Sequence, residues 1–217
     1  MKQLLKKIVW FIFAAPFIYL LIIWPNLPAK VPLHYSGAKA DRYGSPTELL
    51  ILILVVTAIS IGVYLLLINV HRIDPKRRGS ENKDRLAQMA FGIAVFISAV
   101  ACLIIYSAAN QVAEFNQGLI FSGIGLLFCF LGNYMYNIKP NYFAGFRLPW
   151  TLENEDNWRK THHLAGKLWF AGGIVLCITC LFLPFKTGLT VFIVIIIILS
   201  IIPAVYSYRL YKEQKNH

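Results

Sequence analysis

The sequence predicts an all-α fold: a polytopic membrane protein with six transmembrane helices. Three observations carry that prediction. Of 217 residues, 58% are hydrophobic and the mean hydropathy is +0.60, too apolar for an ordinary soluble domain. Apolar runs recur six times, each near the ~20 residues that a helix needs to cross a bilayer core. Asp, Glu, Lys and Arg are absent from the centres of those runs.

The first run, residues 8–24, follows a basic start with Lys2, Lys6 and Lys7. No small-x-small cleavage site comes after it, and Trp24-Pro25 closes it at span length. It therefore reads as an uncleaved helix, not a signal peptide. Residues 25–48 form an extracytoplasmic loop. Within it Val31-Pro-Leu-His-Tyr35 has strand-like composition, Ser36-Gly37 marks a turn and Arg42-Tyr43 returns, which predicts a small hairpin capping the helices. The second and third runs, 49–70 and 86–108, enclose a basic cytoplasmic loop at 71–85. Its charge and lack of apolar residues predict a solvated, mobile connector.

Residues 109–117 are short and nearly uncharged, and the fourth run covers 118–136. Residues 137–163 are a cytoplasmic loop rich in aromatics. The fifth and sixth runs, 164–183 and 189–208, are joined by a tight turn at 184–187, so they should pack as an antiparallel hairpin. Small residues in the spans, among them Gly92, Ala94, Ala171, Gly172 and Gly173, let helix backbones approach in lipid. Pro16 and Pro203 should kink the first and last spans. The whole chain, 1–217, forms one integral membrane domain.

The formal charge of +11 is a topology signal. With the N-terminus inside, 17 of the 21 lysines and arginines fall in inner segments; only Lys30, Lys39, Arg42 and Lys186 lie outside. That asymmetry follows the positive-inside rule, places both termini in the cytoplasm and leaves direct nucleic-acid binding without support. The four cysteines lie inside spans, where Cys177 and Cys180 read as small apolar side chains one turn apart rather than a redox or zinc motif. Missing intramembrane charges argue against ion-coupled transport, because such residues are tolerated in a bilayer chiefly for function.

The 137–163 loop is constrained in a way a linker does not need. Pro140, Gly145 and Pro149 restrict its backbone. Tyr142, Phe143, Phe146 and Trp150 suit the membrane interface, where Arg147 could reach phosphate head groups. Thr151 is expected to cap an interfacial cytoplasmic helix starting near Leu152, with Glu153, Glu155 and Asp156 in its first turns. His162 and His163 follow. No HExxH pattern, GxSxG elbow or Walker loop occurs, so the sequence points to no enzyme, cofactor or metal. At the outer loop His34 and Asp41 could pair as base and carboxylate or form part of a metal site; a hydrogen-bonded structural histidine is the plainer reading.

These two loops also carry a resemblance. Lys139-Pro140-Asn141, Gly145-Phe146-Arg147, Pro149-Trp150-Thr151-Leu152, Trp158-Arg159-Lys160-Thr161-His162 and Gly166-Lys167 resemble the SdpI family of bacterial six-helix membrane immunity proteins. Leu27-Pro28, Val31-Pro32, His34-Tyr35 and Asp41-Arg42-Tyr43-Gly44 resemble the uncharacterised domain that often precedes it. Ser36-Gly37-Ala38 departs from the Asn- or Asp-containing turn of relatives. The resemblance implies a multi-pass protein of the bacterial plasma membrane. It implies protection against a secreted peptide toxin, and a cytoplasmic transcriptional repressor as a partner.

By resemblance, the inner binding residues are Asn141, Gly145, Arg147, Pro149, Trp150, Thr151, Trp158, Arg159, His162 and Lys167. The outer ones are Pro32, His34, Tyr35, Asp41, Tyr43 and Gly44. The alternative is a small-molecule or lipid transporter, since three-plus-three spans put the first and fourth loops in equivalent positions on opposite faces, as in an inverted repeat.

Overall fold

The computed structural model describes residues 2–74 and 79–215. Helix α1 covers Lys2–Ile23 and is continuous through Pro16, followed by a single 3-10 turn at Trp24–Asn26. Strands β1 (Val31–Ser36) and β2 (Lys39–Gly44) pair antiparallel. The remaining helices are α2 (Pro46–Ile73), α3 (Gly79–Ala109), α4 (Gly118–Met135), α5 (Pro149–Glu153), α6 (Glu155–Phe182) and α7 (Phe185–Lys215). Among the described residues six helices, α1, α2, α3, α4, α6 and α7, are long and apolar enough to cross a membrane, so the protein is a multi-pass membrane protein. Many of their large apolar side chains face outward, with Leu21 77% and Phe182 81% exposed. In water that exposure would be costly; against lipid tails it is the expected surface.

Local chemistry fixes several ends. Ser45 caps α2: its hydroxyl accepts from Glu48 N–H at 3.2 Å, and the Glu48 carboxylate accepts from Ser45 N–H at 3.0 Å, a reciprocal capping box with Pro46 in the first turn. The β1–β2 turn is Gly37-Ala38, with Gly37 at φ +61°, which a glycine-first hairpin turn requires.

The expected connector at 71–85 is different. Helix α2 runs to Ile73 and α3 starts at Gly79, so most of that segment is helix end; residues 75–78 lie outside the described ones. Charge content signalled solvation, yet Asn82 is fully buried. Its amide donates to Lys139 C=O at 2.9 Å and accepts from Lys139 N–H at 2.8 Å. That reciprocal pair anchors the start of α3 to the chain leaving α4.

Thr151 also departs from expectation. It lies inside the short helix α5, while Asn154 caps α6 by accepting from Asn157 N–H at 2.9 Å. The single helix expected to start near Leu152 is therefore split at Asn154 into α5 and α6.

The spans form two groups of three. In the first, α3 lies between α1 and α2 and touches both; in the second, α6 lies between α4 and α7. The closest approach is the antiparallel seam of α4 and α6. A Cβ added at Gly118 would stand 2.2 Å from the Cys180 carbonyl oxygen, at Gly125 2.7 Å from that of Gly173, and at Gly132 2.8 Å from that of Gly166. Steps of seven residues on both helices keep the backbones touching along two heptads. Without a hydrophobic force between helices in lipid, such close backbone packing is a main source of association.

Candidate functional site

Polar side chains gather at the two ends of the bundle, and the structure separates the two sets of expected site residues accordingly. At one end the 137–154 loop folds around the first turns of α6. Asn141, fully buried, organises its start: its carboxamide oxygen accepts from Phe143 N–H (2.9 Å) and Ala144 N–H (2.8 Å), and its NH2 donates to Lys139 and Ala144 carbonyls. Buried backbone groups need partners, and here one side chain supplies four.

The loop then passes over His162, which is also fully buried. His162 Nε2 accepts from Phe146 N–H at 2.9 Å and Nδ1 faces the Trp158 carbonyl at 2.7 Å. An Nε2 that accepts a backbone proton cannot carry one, so the imidazole is neutral with its proton on Nδ1, donated to the helix. Trp158 stacks on this ring at 4.0 Å between centroids and donates its indole N–H to Ile138 C=O at 2.8 Å.

Gly145 fits because it lacks a Cβ. Its φ is +112°, and a Cβ there would lie 2.3 Å from His162 Nε2. Thr151, buried, donates its hydroxyl to Phe146 C=O at 2.6 Å and accepts from Leu148 N–H at 3.0 Å. Asn141, Gly145, Thr151, Trp158 and His162 are thus parts of one hydrogen-bonded scaffold, with little surface to offer a partner. Trp158, 1% exposed, is an anchor.

The remaining inner residues are outward-facing or half-buried. Pro149 is exposed in the first turn of α5. Arg147, exposed, donates to Tyr142 C=O at 2.8 Å. Trp150 donates to Ser207 Oγ at 3.0 Å and stacks on Tyr211 at 5.8 Å, tying α5 to the end of α7. Arg159 and Lys160 share the Asp156 carboxylate at 2.6 and 2.7 Å. Lys167 extends over the Tyr136 ring at 6.0 Å. A cleft of about 270 Å³ opens between residues 136–140 and the first turns of α6.

At the other end the hairpin lies across helix ends from both groups. Tyr35 donates to Val112 C=O at 2.8 Å and its hydroxyl also meets Ser107 Oγ. Gln117 donates to Gly37 C=O, the Phe185 ring covers Gly37, and β2 gains a bridge through Ala40 N–H to Ala113 C=O at 2.9 Å. Replacing Tyr35 by phenylalanine should remove its bonds to Val112 and Ser107, at about 1 kcal/mol each, read as a lower unfolding temperature in detergent. An unchanged temperature would show that the tether carries no stability.

Pro32 is buried near the start of β1, and Gly44 admits Leu33 and Glu48 where a Cβ would lie 2.3 and 2.8 Å from them. His34 and Asp41 pair at 2.6 Å on the open face, their side chains 63% and 44% exposed; Tyr43 is half exposed beside them. The pair is a surface feature of a bulged strand, since register shifts flank His34.

Sequence reasoning missed several contributors. Asn82 was hidden in a charged stretch. Asn157 donates to Ser207 C=O at 2.9 Å and accepts from Thr161 at 3.0 Å; the polar i, i+4 spacing of Asn157 and Thr161 was the available signal. Tyr136 and His163 stack nearly parallel at 4.1 Å.

Comparison with known proteins fits this two-ended architecture. Residues 137–207 match the model of the SdpI/YfhL protein family, and residues 11–58 match a domain of unknown function, DUF1648. The first match holds the whole loop scaffold; the second holds the hairpin. The chain is 27% identical over 203 residues to a protein of Bacillus subtilis (strain 168) named as an immunity protein, SdpI, covering 91% of each chain. No solved structure gives a significant match.

Proposed function

We propose, from the chain's membership of the SdpI/YfhL family, that it is a membrane immunity protein protecting its bacterial host against a secreted antimicrobial peptide, without catalysis. The observation that carries this is the similarity to an immunity protein over 91% of both chains, spans and both loops included. In this reading the hairpin end faces outward, because most cations belong to the other end. The exposed His34, Asp41 and Tyr43 are the first surface an arriving peptide meets. The loop end, with Arg147 and Arg159 exposed and Trp150 half-buried against α7, faces the cytoplasm and is where a repressor would be tethered.

Expressing the protein in a strain sensitive to the cognate peptide tests the reading. Survival well above an empty vector is expected, and survival equal to it across candidate peptides would sink the proposal. Replacing His34 and Asp41 together by alanine should cut protection at least tenfold while leaving the amount of folded protein unchanged. Full protection by that variant would move the contact surface elsewhere.

The transporter alternative draws less support. An inverted repeat needs the same helix arrangement in both halves. Here the middle helix is the third span of the first group but the second span of the other.

A further inference from the structure

We infer that the cleft at the head of α6 and the basic face below it hold the phosphate of an anionic glycerophospholipid. Arg159, His163 and Lys167 follow one another at i, i+4 and i+8, so they share one face of α6. The Tyr136 ring, at the end of α4, lies against that face, stacked on His163 at 4.1 Å with the Lys167 ammonium 6.0 Å from its centroid. Above them the cleft of about 270 Å³ is lined by Lys139, Arg159 and His163, with Glu155 and Asp156 also on its wall.

Charge selects the ligand class. Asp156 is shared by Arg159 and Lys160; with Glu155 as the second carboxylate, the four cations Lys139, Arg159, Lys160 and Lys167 still outnumber the two acids, and the local balance stays positive. The Arg159 side chain is still 65% exposed, leaving guanidinium N–H groups available for a bidentate contact with phosphate oxygens.

Depth selects the source. Lys167 lies two helical turns past Arg159, beside the backbone contact of Gly132 and Gly166 that belongs to the membrane-spanning seam. An ammonium so placed is costly unless it snorkels to a phosphate at the bilayer surface. A lipid head group has its phosphate at that level, and its acyl chains can follow the apolar outer face of α6, where Phe170 and Ile174 are exposed. A free phosphate ion would meet the cleft but gain nothing from this lower part. The inference concerns only the membrane level of this end, so it holds whether or not the immunity reading does.

The test is native mass spectrometry of the full chain in neutral detergent, titrated with phosphatidylglycerol, phosphatidylcholine or inorganic phosphate. The expected result is one tight phosphatidylglycerol adduct, at least tenfold preferred over phosphatidylcholine, with inorganic phosphate a poor competitor. Arg159→Gln combined with Lys167→Gln should weaken that adduct at least tenfold, whereas Lys186→Gln at the opposite end should not. Circular dichroism and elution volume check that the variants fold; should the double variant fail, Lys167→Gln alone is read the same way, with at least a threefold loss expected. Undiminished binding in the folded variants, equal binding of both lipids, or full competition by inorganic phosphate would overturn the proposal.

Discussion

Replacing Gly132 by leucine will leave little folded, monodisperse protein. A Cβ at this position would stand 2.8 Å from both the Gly166 carbonyl oxygen and the Phe170 nitrogen, and 3.0 Å from the Trp169 Cβ. Ordinary overpacking costs about 1–3 kcal/mol because neighbouring side chains give way. Here most of what blocks the way is backbone, so α4 and α6 must separate along the seam, and the loss should exceed that range. The measurement is yield and thermal unfolding in detergent. Gly62→Leu is the matched control, since nothing lies within 4 Å of a Cβ there. If both variants behave alike, the seam is not what holds the second group of spans together.

The other large effect is expected at Trp158. Truncation to alanine removes a 1% exposed indole, its stack on His162 and its bond to Ile138 C=O. Truncating a buried aromatic of this kind costs about 3–5 kcal/mol. The consequence reaches beyond α6, because His162 would lose the ring that fixes it beneath Gly145 and Phe146. Trp158→Ala should therefore lower the unfolding temperature and expose the 137–154 loop to protease at the same time. Trp150→Ala, which loses a half-buried contact with Ser207 and Tyr211, should do much less of either. Equal protease resistance in wild type and Trp158→Ala would mean that the loop stands without this anchor.

These expectations show what sequence could and could not reveal. The spans were legible because lipid demands apolar side chains over a fixed length, and run length alone counts them. The hairpin was legible from Ser36-Gly37 between strand-like residues. Less could be read where one polar side chain acts against its surroundings. Charged neighbours concealed the buried amide of Asn82, and Thr151 looked like a cap although Asn154, three residues later, caps α6. His162 looked as available as His163, yet one is buried beneath the loop and the other stacks at the cleft. Chain order cannot tell them apart, because burial depends on which side of α6 the returning loop covers. The glycine seam was present in the spacing of 118, 125, 132 and of 166, 173, but a heptad acquires meaning only once a partner helix is known.

The tether between the hairpin and both helix groups also orders assembly in time. Residues 31–44 emerge from the ribosome long before Val112, Gln117 and Phe185, against which they finally rest. During synthesis the hairpin rests on α1, α2 and α3 alone, through Val31 and Tyr35, until α4 and then the start of α7 arrive. Arrival of the first turn of the last span is thus the event that closes the first loop, and a chain stopped before Phe185 would display that loop without its cover.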